Sequence, residues 1–230
     1  MTALATRPPV IAVTGLAFEA RIAAGEGVTV IHGRDKAQMI AALERAVAAG
    51  ASGIISFGTA GGLAPHLAPG DWIVAEAIIT DAQRWEADPG WSAQLLKRLP
   101  HATHAPIASA DLPVAGALAK RALHDRTGAA AADMESHIAA RIAIAHGLPF
   151  AACRVIIDPA HRTLPQAALV AMRADGRVNL TALLRSLAGQ PSQLRPLLRF
   201  AVDARAARAA LFRGRRLLGA GLGFPNFPEF

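Results

Sequence analysis

The sequence predicts an α/β fold in which a central sheet is covered by helices. Short apolar runs that end in glycine or acidic residues alternate with stretches of helical spacing along the first 160 residues. This alternation is typical of buried strands joined by helices. The length of 230 residues lies within the range of one such domain. We therefore predict a single domain over residues 1–230.

The first half of the chain contains apolar runs that predict buried strands, separated by glycine-containing turns. The second and third runs are separated by residues of helical spacing, which predict a helix that ends at Gly50. The fourth run predicts either a strand pair or one long bent strand. The predicted strands are 9–15, 28–31, 53–57 and the segments 72–75 and 77–79, and the predicted helix is 37–49.

The second half of the chain is mainly helical in its spacing, apart from a β-branched run over 150–157 that stops at Asp158 and Pro159. After this run the sequence becomes rich in Ala, Leu and Arg. The last segment, 219–230, contains three Phe residues and is expected to pack against the fold, since exposed aromatic side chains are costly. The predicted helices are 91–98, 116–127, 136–146, 167–172, 179–188 and 193–218.

The net charge of +7 comes entirely from the C-terminal region. Residues 1–160 carry 13 Lys and Arg against 14 Asp and Glu, whereas residues 161–230 carry 11 against 3. A basic helical region of this kind either faces water or attracts an anionic membrane surface, and nucleic acid is not the expected partner. The arginines that would supply such attraction are Arg205, Arg208, Arg213, Arg215 and Arg216.

The sequence contains no apolar stretch of membrane-spanning length and no secretory signal pattern at its N-terminus. The lone Cys153 permits no internal disulfide, and the histidines show no metal-ligand spacing. We therefore expect a cytoplasmic protein without a metal, which would lie at the inner face of the membrane if the basic region attaches there.

Candidate functional residues follow the apolar runs, because ligands of open α/β sheets bind beyond the carboxyl ends of strands. These residues are Glu19, the loop Gly58–Gly62, Glu135 and Asp158. Each also has a purely structural interpretation: glycines serve tight turns, Glu135 favours a helix dipole, and Asp158 precedes a proline in a turn. None of them alone predicts an activity.

Together, however, four ordered segments resemble the purine nucleoside phosphorylase and methylthioadenosine/S-adenosylhomocysteine nucleosidase superfamily. The resemblance covers about residues 10 to 160 and implies a three-layer fold with a central, mixed, twisted sheet flanked by helices. The basic C-terminal region is most similar to the hopanoid-biosynthesis-associated branch, which is associated with removal of adenine from adenosylhopane. The segments are Gly58–Leu63, Pro69–Val74, Asp133–Ser136 and Arg154–Asp158.

The resemblance implies a role for each candidate residue. Asp158 corresponds to the acid that protonates the leaving purine, and its burial beside Ile156 and Ile157 would raise its pKa. Glu19 corresponds to the glutamate that activates water, Glu135 to the carboxylate that binds the ribose hydroxyls, and Met134 to the side chain that packs against the sugar. The remaining expected substrate-binding residues are Gly58, Thr59, Ala60, Gly61 and, in the purine-binding segment 109–114, Val114.

The attacking group stays open at this point. Ser56 occupies a position where many phosphorylases carry arginine, which favours water. Arg21 and Arg34 could instead bind phosphate as a co-substrate, and no other cofactor is expected. The superfamily habit of completing sites across subunits also predicts a homo-oligomer.

We therefore predict cleavage of the N-glycosidic bond of an adenine nucleoside, with release of adenine from adenosylhopane by hydrolysis or phosphorolysis. Two alternatives remain open. The first is a methylthioadenosine/S-adenosylhomocysteine nucleosidase. The second is a non-catalytic module that binds membranes or nucleic acid through its basic region.

Overall fold

The strands of the computed structural model form one sheet within the residues that it describes, which are 7–33, 35–171, 173 and 175–225. Most strands are apolar runs, and β1, β3 and β8 are almost fully buried. The strands are β1 Val10–Thr14, β2 Val28–His32, β3 Gly53–Gly62, β4 Trp72–Ile79, β5 Arg84–Glu86, β6 Thr103–Ser109, β7 Ala131–Asp133 and β8 Phe150–Asp158.

The helices begin at residues suited to capping. The side chain of Asp35 accepts from the backbone N–H of Gln38 at 3.0 Å, and Asp88 accepts from Trp91 N–H at 2.7 Å just before a proline. Asn179 caps a later helix in the same way. The helices are α1 Ala17–Ala23, α2 Lys36–Ala48, α3 Pro89–Arg98, α4 Ala117–Thr127, α5 Ser136–Ala145, α6 Gln166–Ala171, α7 Leu180–Gly189 and α8 Leu194–Leu218.

The sheet is mixed and partly closed. Its strands run in the order β2-β1-β3-β7-β6-β4-β5, and β8 pairs with both β3 and β4. Strands β1, β3 and β8 are parallel, so their carboxyl ends lie at one edge. The pairing circuit β3-β8-β4-β6-β7 leaves these central strands without a free edge.

Helices cover both faces of the sheet and define its two main apolar cores. On one face, Met39 and Leu43 of α2 pack with Ile138 of α5. On the other, α3 and α8 pack on the sheet through residues that include Trp91 and Leu211. This arrangement confirms the predicted mixed α/β fold with flanking helices. The prediction of a single domain over residues 1–230 stays a prediction.

The C-terminal segment packs against the fold as expected, as far as it is described. Phe224 is buried and meets Trp91 edge to face, with the ring centroids 4.8 Å apart. Trp91 also donates its indole N–H to the carbonyl of Leu222 at 3.1 Å. Residues 226–230, with the other two phenylalanines of this segment, lie outside the described part of the chain.

The sheet settles one alternative that the sequence left open, and it contains three strands that were not predicted. Strand β4 is one long strand whose pairing with β6 shifts register between Ala75 and Ile78, so it is the bent strand rather than a strand pair. Strands β5, β6 and β7 were not predicted. Strand β7 consists of Ala131, Ala132 and Asp133 only, and it forms because β3 and β6 pair with its two edges.

Among the described residues, no helix combines the length and the apolar character that crossing a bilayer would require.

Candidate active site

Glu19 lies in the first turn of α1, directly beyond the end of β1, and its carboxylate is buried. One oxygen, Oε2, accepts from the backbone N–H groups of Gly15 at 3.1 Å and Leu16 at 2.9 Å. The other, Oε1, accepts from Thr59 N–H at 2.8 Å and from the Thr59 hydroxyl at 2.6 Å. Because a carboxylate accepts about four hydrogen bonds, a further donor could bind it only in place of one of these. The Thr59 hydroxyl is the donor that can rotate away.

Gly58 allows Glu19 to approach β3 closely. Its φ is +152°, and a Cβ atom there would lie 2.7 Å from Cδ of Glu19 and 2.9 Å from Nη1 of Arg154. Any larger residue would therefore push the carboxylate or the guanidinium away. The sequence analysis assigned Gly58 to substrate binding, but it lies behind Glu19 and is not among the residues that line the cavity.

Arg154 is the central cation of the site, and its side chain is completely buried on β8. Its Nη2 atom lies 2.9 Å from Oδ2 of Asp133, 3.3 Å from Oε2 of Glu135 and 2.5 Å from the Ser56 hydroxyl. Burial acts against the charge of this guanidinium, but Asp133, Glu135 and Glu19 outweigh it and raise the pKa of Arg154. Arg154 therefore stays charged, pairs directly with Asp133 and Glu135, and interacts favourably with the charge of Glu19.

Sequence analysis included Arg154 in a motif but gave it no role, and it assigned none to Asp133. The register of the sheet supplies the missing information. The segment Gly58–Gly62, which was predicted as a loop, is the last part of β3, because it pairs with β8 and β7. Gly58 pairs with Arg154 of β8, so the guanidinium reaches the Ser56 hydroxyl two residues earlier on β3. An arginine therefore does lie beside Ser56, but it comes from the neighbouring strand β8 and not from β3.

Asp158 ends β8 and is buried, as the sequence predicted. Burial raises the pKa of its carboxyl group, and Lys120 of α4 works against that rise. The ammonium of Lys120 is buried, contacts Oδ2 of Asp158 directly, and donates to the carbonyls of Pro159 and Arg162 at 3.0 Å each. All three donors of the ammonium group are therefore used.

The sequence analysis missed Lys120, because a single lysine in an otherwise ordinary surface helix carries no pattern. It is the buried residue of α4, a helix whose two arginine side chains, Arg121 and Arg126, are exposed. The buried ammonium group faces Asp158 across 38 residues of sequence. Only the folded chain brings the two together.

A β-bulge directs Asp158 into the cavity. The pairing of β3 with β8 runs regularly to Ala60 and Ile156, and then Gly61 pairs with Asp158, so Ile157 is the extra residue. Bulges change the direction of side chains at strand ends. As a result Ile157 and Asp158 both line the same cavity, which regular alternation would not permit.

The cavity has a volume of about 360 Å³ and brings together most of the residues that the sequence singled out. Glu19 contacts Thr59 at one side, and the Asp158 carboxylate lies beside Gly61, two residues further along β3. Two strand residues span roughly 6.6 Å, so the two carboxylates meet β3 at points about that far apart. The other expected residues that line this cavity are Ala60, Val114, Met134 and Glu135.

The two candidate phosphate ligands are placed less favourably. Arg21 is exposed at the end of α1 and does not line the cavity. Arg34 lies outside the described residues, so its prediction stays untested. Within the described residues, no group of three or more His, Cys, Asp or Glu side chains has the geometry of a metal site.

The part of the cavity that is formed by the C-terminal helices is apolar. Helices α6, α7 and α8 and the segment before them close it on this side, and none of the side chains that they contribute there is acidic. Arg177 is a charged side chain at the exposed edge of this region. Away from it, the lining offers a polar ligand group no partner, whereas an apolar group would be removed from water. The main apolar lining residues are Leu164, Ala168, Leu169, Leu183, Leu197 and Phe200.

The chain belongs to the phosphorylase superfamily, whose family model matches residues 1–188. It is thus an enzyme of the class that cleaves N-glycosyl bonds. No curated protein matches the chain.

Solved structures with the same fold are nucleoside-processing enzymes. Futalosine hydrolase of Helicobacter pylori is similar with a TM-score of 0.62 and 16% identity, over 91% of this chain and 97% of that one. The 5′-methylthioadenosine/S-adenosylhomocysteine nucleosidase of S. pneumoniae has a TM-score of 0.61 and 17% identity, over 91% and 99%. S-adenosylhomocysteine nucleosidase of Streptococcus pyogenes has a TM-score of 0.59 and 18% identity, over 92% and 98%. At these identities the likeness establishes the fold.

Proposed function

We propose that this enzyme hydrolyses the N-glycosidic bond of an adenine nucleoside with a large apolar 5′ substituent, with adenosylhopane as the expected substrate. The apolar end of the cavity carries this proposal. A nucleoside held between Glu19 and Asp158 has a neighbouring space that is lined by leucine, alanine and phenylalanine side chains of α6 to α8. Such a space favours an apolar substituent over a charged amino-acid tail.

The proposed general acid is the Asp158 carboxyl group, supported by Lys120. Departure of adenine places negative charge on the base, and a proton delivered at N7 neutralises that charge. Burial favours the protonated carboxyl, while the ammonium of Lys120 can return a proton to it after transfer. Lys120 is a positioning residue in this mechanism, since its contacts to the carbonyls of Pro159 and Arg162 fix it behind the acid.

The proposed ribose site is formed by Glu135 and Met134. Glu135 is held by Arg154 at 3.3 Å and lines the cavity, so its carboxylate is available in one orientation. As the glycosidic bond breaks, positive charge grows on the ribose ring, and a fixed carboxylate bound to the hydroxyls attracts it more strongly than it attracts the neutral sugar.

The charges of the site favour water over phosphate as the attacking group. Three buried carboxylates, Glu19, Asp133 and Glu135, surround the single guanidinium of Arg154. Beside these three carboxylates a phosphate dianion would be repelled, whereas a neutral water molecule would not be; the cations Lys120 and Arg177 line other parts of the cavity. Glu19 can then accept the proton of this water once the Thr59 hydroxyl releases it.

Product analysis with two substrates tests this function. Incubation with adenosylhopane should release adenine and leave a ribosyl product with a hydroxyl group at its anomeric carbon. The rate of adenine release should be the same with and without phosphate. Phosphate-dependent formation of a sugar phosphate would contradict the hydrolytic mechanism. Cleavage of 5′-methylthioadenosine but not of adenosylhopane would replace the proposed substrate with that of the nucleosidases that share the fold.

Replacement of Glu135 by Gln should lower kcat by about 10- to 100-fold and change KM much less. The amide keeps the shape but loses the charge that stabilises the cationic ribose, and each lost factor of ten corresponds to about 1.4 kcal/mol. Steady-state kinetics on the purified protein measure both constants. Glu44→Gln, at an exposed residue on α2, is the matched control and should leave both unchanged. A rise of KM with constant kcat would contradict the role of Glu135.

Replacement of Lys120 by Met should lower kcat and move the alkaline limb of its pH profile to higher pH. Activity needs the protonated Asp158, so kcat falls as pH rises through the raised pKa of this group. Lys120 lowers that pKa, and its loss therefore keeps the acid protonated to higher pH. Arg121→Met, at the exposed next residue of α4, is the control. An alkaline limb that does not move would argue against Lys120 acting through Asp158.

The assembly and location of the protein are further parts of the proposal. We expect a homo-oligomer in the cytoplasm, with peripheral attachment to an anionic membrane through residues 161–230. The five arginines first considered for this attachment lie along the second half of α8. Arg215 donates to the carbonyls of Ala23 and Gly219 at 3.0 and 2.7 Å, so it is engaged within the fold, and the other four are exposed.

A further inference from the structure

Helix α7 has an unusual position for a leucine-rich helix. It contains four leucines in ten residues, yet none of its residues is buried. Leu183 faces the cavity, whereas Leu180 and Leu184 are 66% and 64% exposed. A helix of this composition normally buries its apolar side against the protein. Here much of that side faces outward.

The first half of α8 and Val178, which precedes α7, extend this exposed apolar region. The side chain of Val178 is exposed, and three apolar side chains of α8 are exposed by half or more. We call these side chains the apolar face. Its members are Val178, Leu180, Leu184, Leu194, Leu198 and Val202, with exposures between 50% and 68%.

The mouth of the cavity opens within the apolar face. Among the residues that line the cavity, Arg177, Val178 and Ala201 are exposed, so the cavity reaches the surface between the start of α7 and the middle of α8. Leu183 and Leu197 continue the apolar lining inward from this mouth. The apolar surface is therefore continuous from the outside of the molecule into the site.

Exposed arginines are interspersed with the apolar face. They are Arg177, Arg185, Arg195 and Arg199, and none of them forms an ion pair with any residue that the structure describes. The two acidic residues of this part of the chain, Asp175 and Asp203, lie beside Arg173 and Arg162. The face thus combines leucine and valine side chains with an unbalanced positive charge.

We propose that the apolar face docks on an anionic lipid bilayer and that the apolar part of the substrate enters the cavity directly from the lipid. Leucine and valine side chains would lie among the acyl chains near the headgroups, and the arginines would bind lipid phosphates. A protein partner or a second copy of the chain seated on this face would cover the mouth, whereas lipid leaves it open to an apolar ligand. The entry route rests on the proposed activity. The docking names the surface that would make the proposed membrane attachment, and it does not rest on the activity.

Sedimentation with vesicles tests the docking without any substrate, so its failure is distinguishable from failure of the proposed activity. The protein should bind vesicles of phosphatidylcholine with phosphatidylglycerol, more weakly in high salt and much less with phosphatidylcholine alone. The double variant Leu180→Ser with Leu184→Ser should bind the anionic vesicles roughly 10- to 100-fold more weakly. Each substitution removes the free energy that a leucine side chain gains when it moves from water into lipid. The double variant Arg195→Gln with Arg199→Gln should reduce the part of vesicle binding that is sensitive to salt.

A matched control removes exposed apolar side chains elsewhere. Leu118 of α4 and Ile144 of α5 are 86% and 50% exposed, and Leu118→Ser with Ile144→Ser should bind vesicles like the unchanged protein. Melting temperatures confirm that each variant is folded. Equal loss of binding in the control, or no binding by the unchanged protein, would overturn the proposal. So would a dimer that Leu180→Ser with Leu184→Ser converts to a monomer in the absence of lipid.

Discussion

Replacement of Asp158 by Asn is expected to lower kcat for adenine release by about 10² to 10⁴, the usual contribution of a general acid. The amide fills the same space at the end of β8 but has no proton to give to N7 of the leaving purine. The contact to Lys120 is retained only in part, because an amide oxygen attracts an ammonium group less strongly than a carboxylate does. Single-turnover kinetics with adenine detection separate the chemical step from product release.

Asp88→Asn is the matched control for this loss. Asp88 caps α3 away from the cavity, and asparagine is also a good N-cap residue, so kcat and stability should stay unchanged. Retention of most activity by Asp158→Asn would show that another group protonates the base. A substrate whose leaving group needs no proton should be much less sensitive to this substitution, which provides a second check on the assigned role.

Replacement of Arg154 by Met is expected to lower the free energy of unfolding by about 3–5 kcal/mol, the cost of removing one partner from a buried ionic cluster. Glu19, Asp133 and Glu135 would then lie near one another without the cation that they surround. Such a loss is a large part of the stability of an ordinary domain. Urea denaturation measures it.

The pH dependence gives this prediction a specific signature. In the Arg154→Met variant, protonation of the carboxylates relieves their repulsion, so the difference in unfolding free energy from the unchanged protein should shrink as pH falls. Arg84→Met is the control, because Arg84 forms an exposed ion pair with Glu86 that contributes under about 1 kcal/mol. A loss of stability no larger than in this control would mean that the cluster is not held by Arg154.

The location of the site residues could be predicted because β1, β3 and β8 are parallel. Glu19, Thr59 and Asp158 follow or lie near the ends of apolar runs in the sequence, and the carboxyl ends of parallel strands meet at one edge. Asp158 was also expected to be buried with a raised pKa, and it is. These inferences needed only local patterns and their order.

The ionic partners could not be predicted in the same way. Lys120 lies in a helix whose two arginine side chains are exposed, and nothing in its neighbours distinguishes it. Arg154 lies in an apolar strand, where its side chain could have pointed to either face. The register of β8 against β3 decides that its guanidinium meets Glu135 and Ser56.

By itself, the sequence determined the α/β class, most of the helices, the strands β1 to β4 and β8, and the side of the sheet at which the candidate site lies. These properties depend on periodicity and on short motifs, which are local. Tertiary structure alone decided that Lys120 contacts Asp158, that Arg154 pairs with Asp133 and Glu135, and that helices α6 to α8 extend the cavity into an apolar space with an exposed mouth. These contacts join residues that are distant in sequence, and only packing and strand register fix which of them meet.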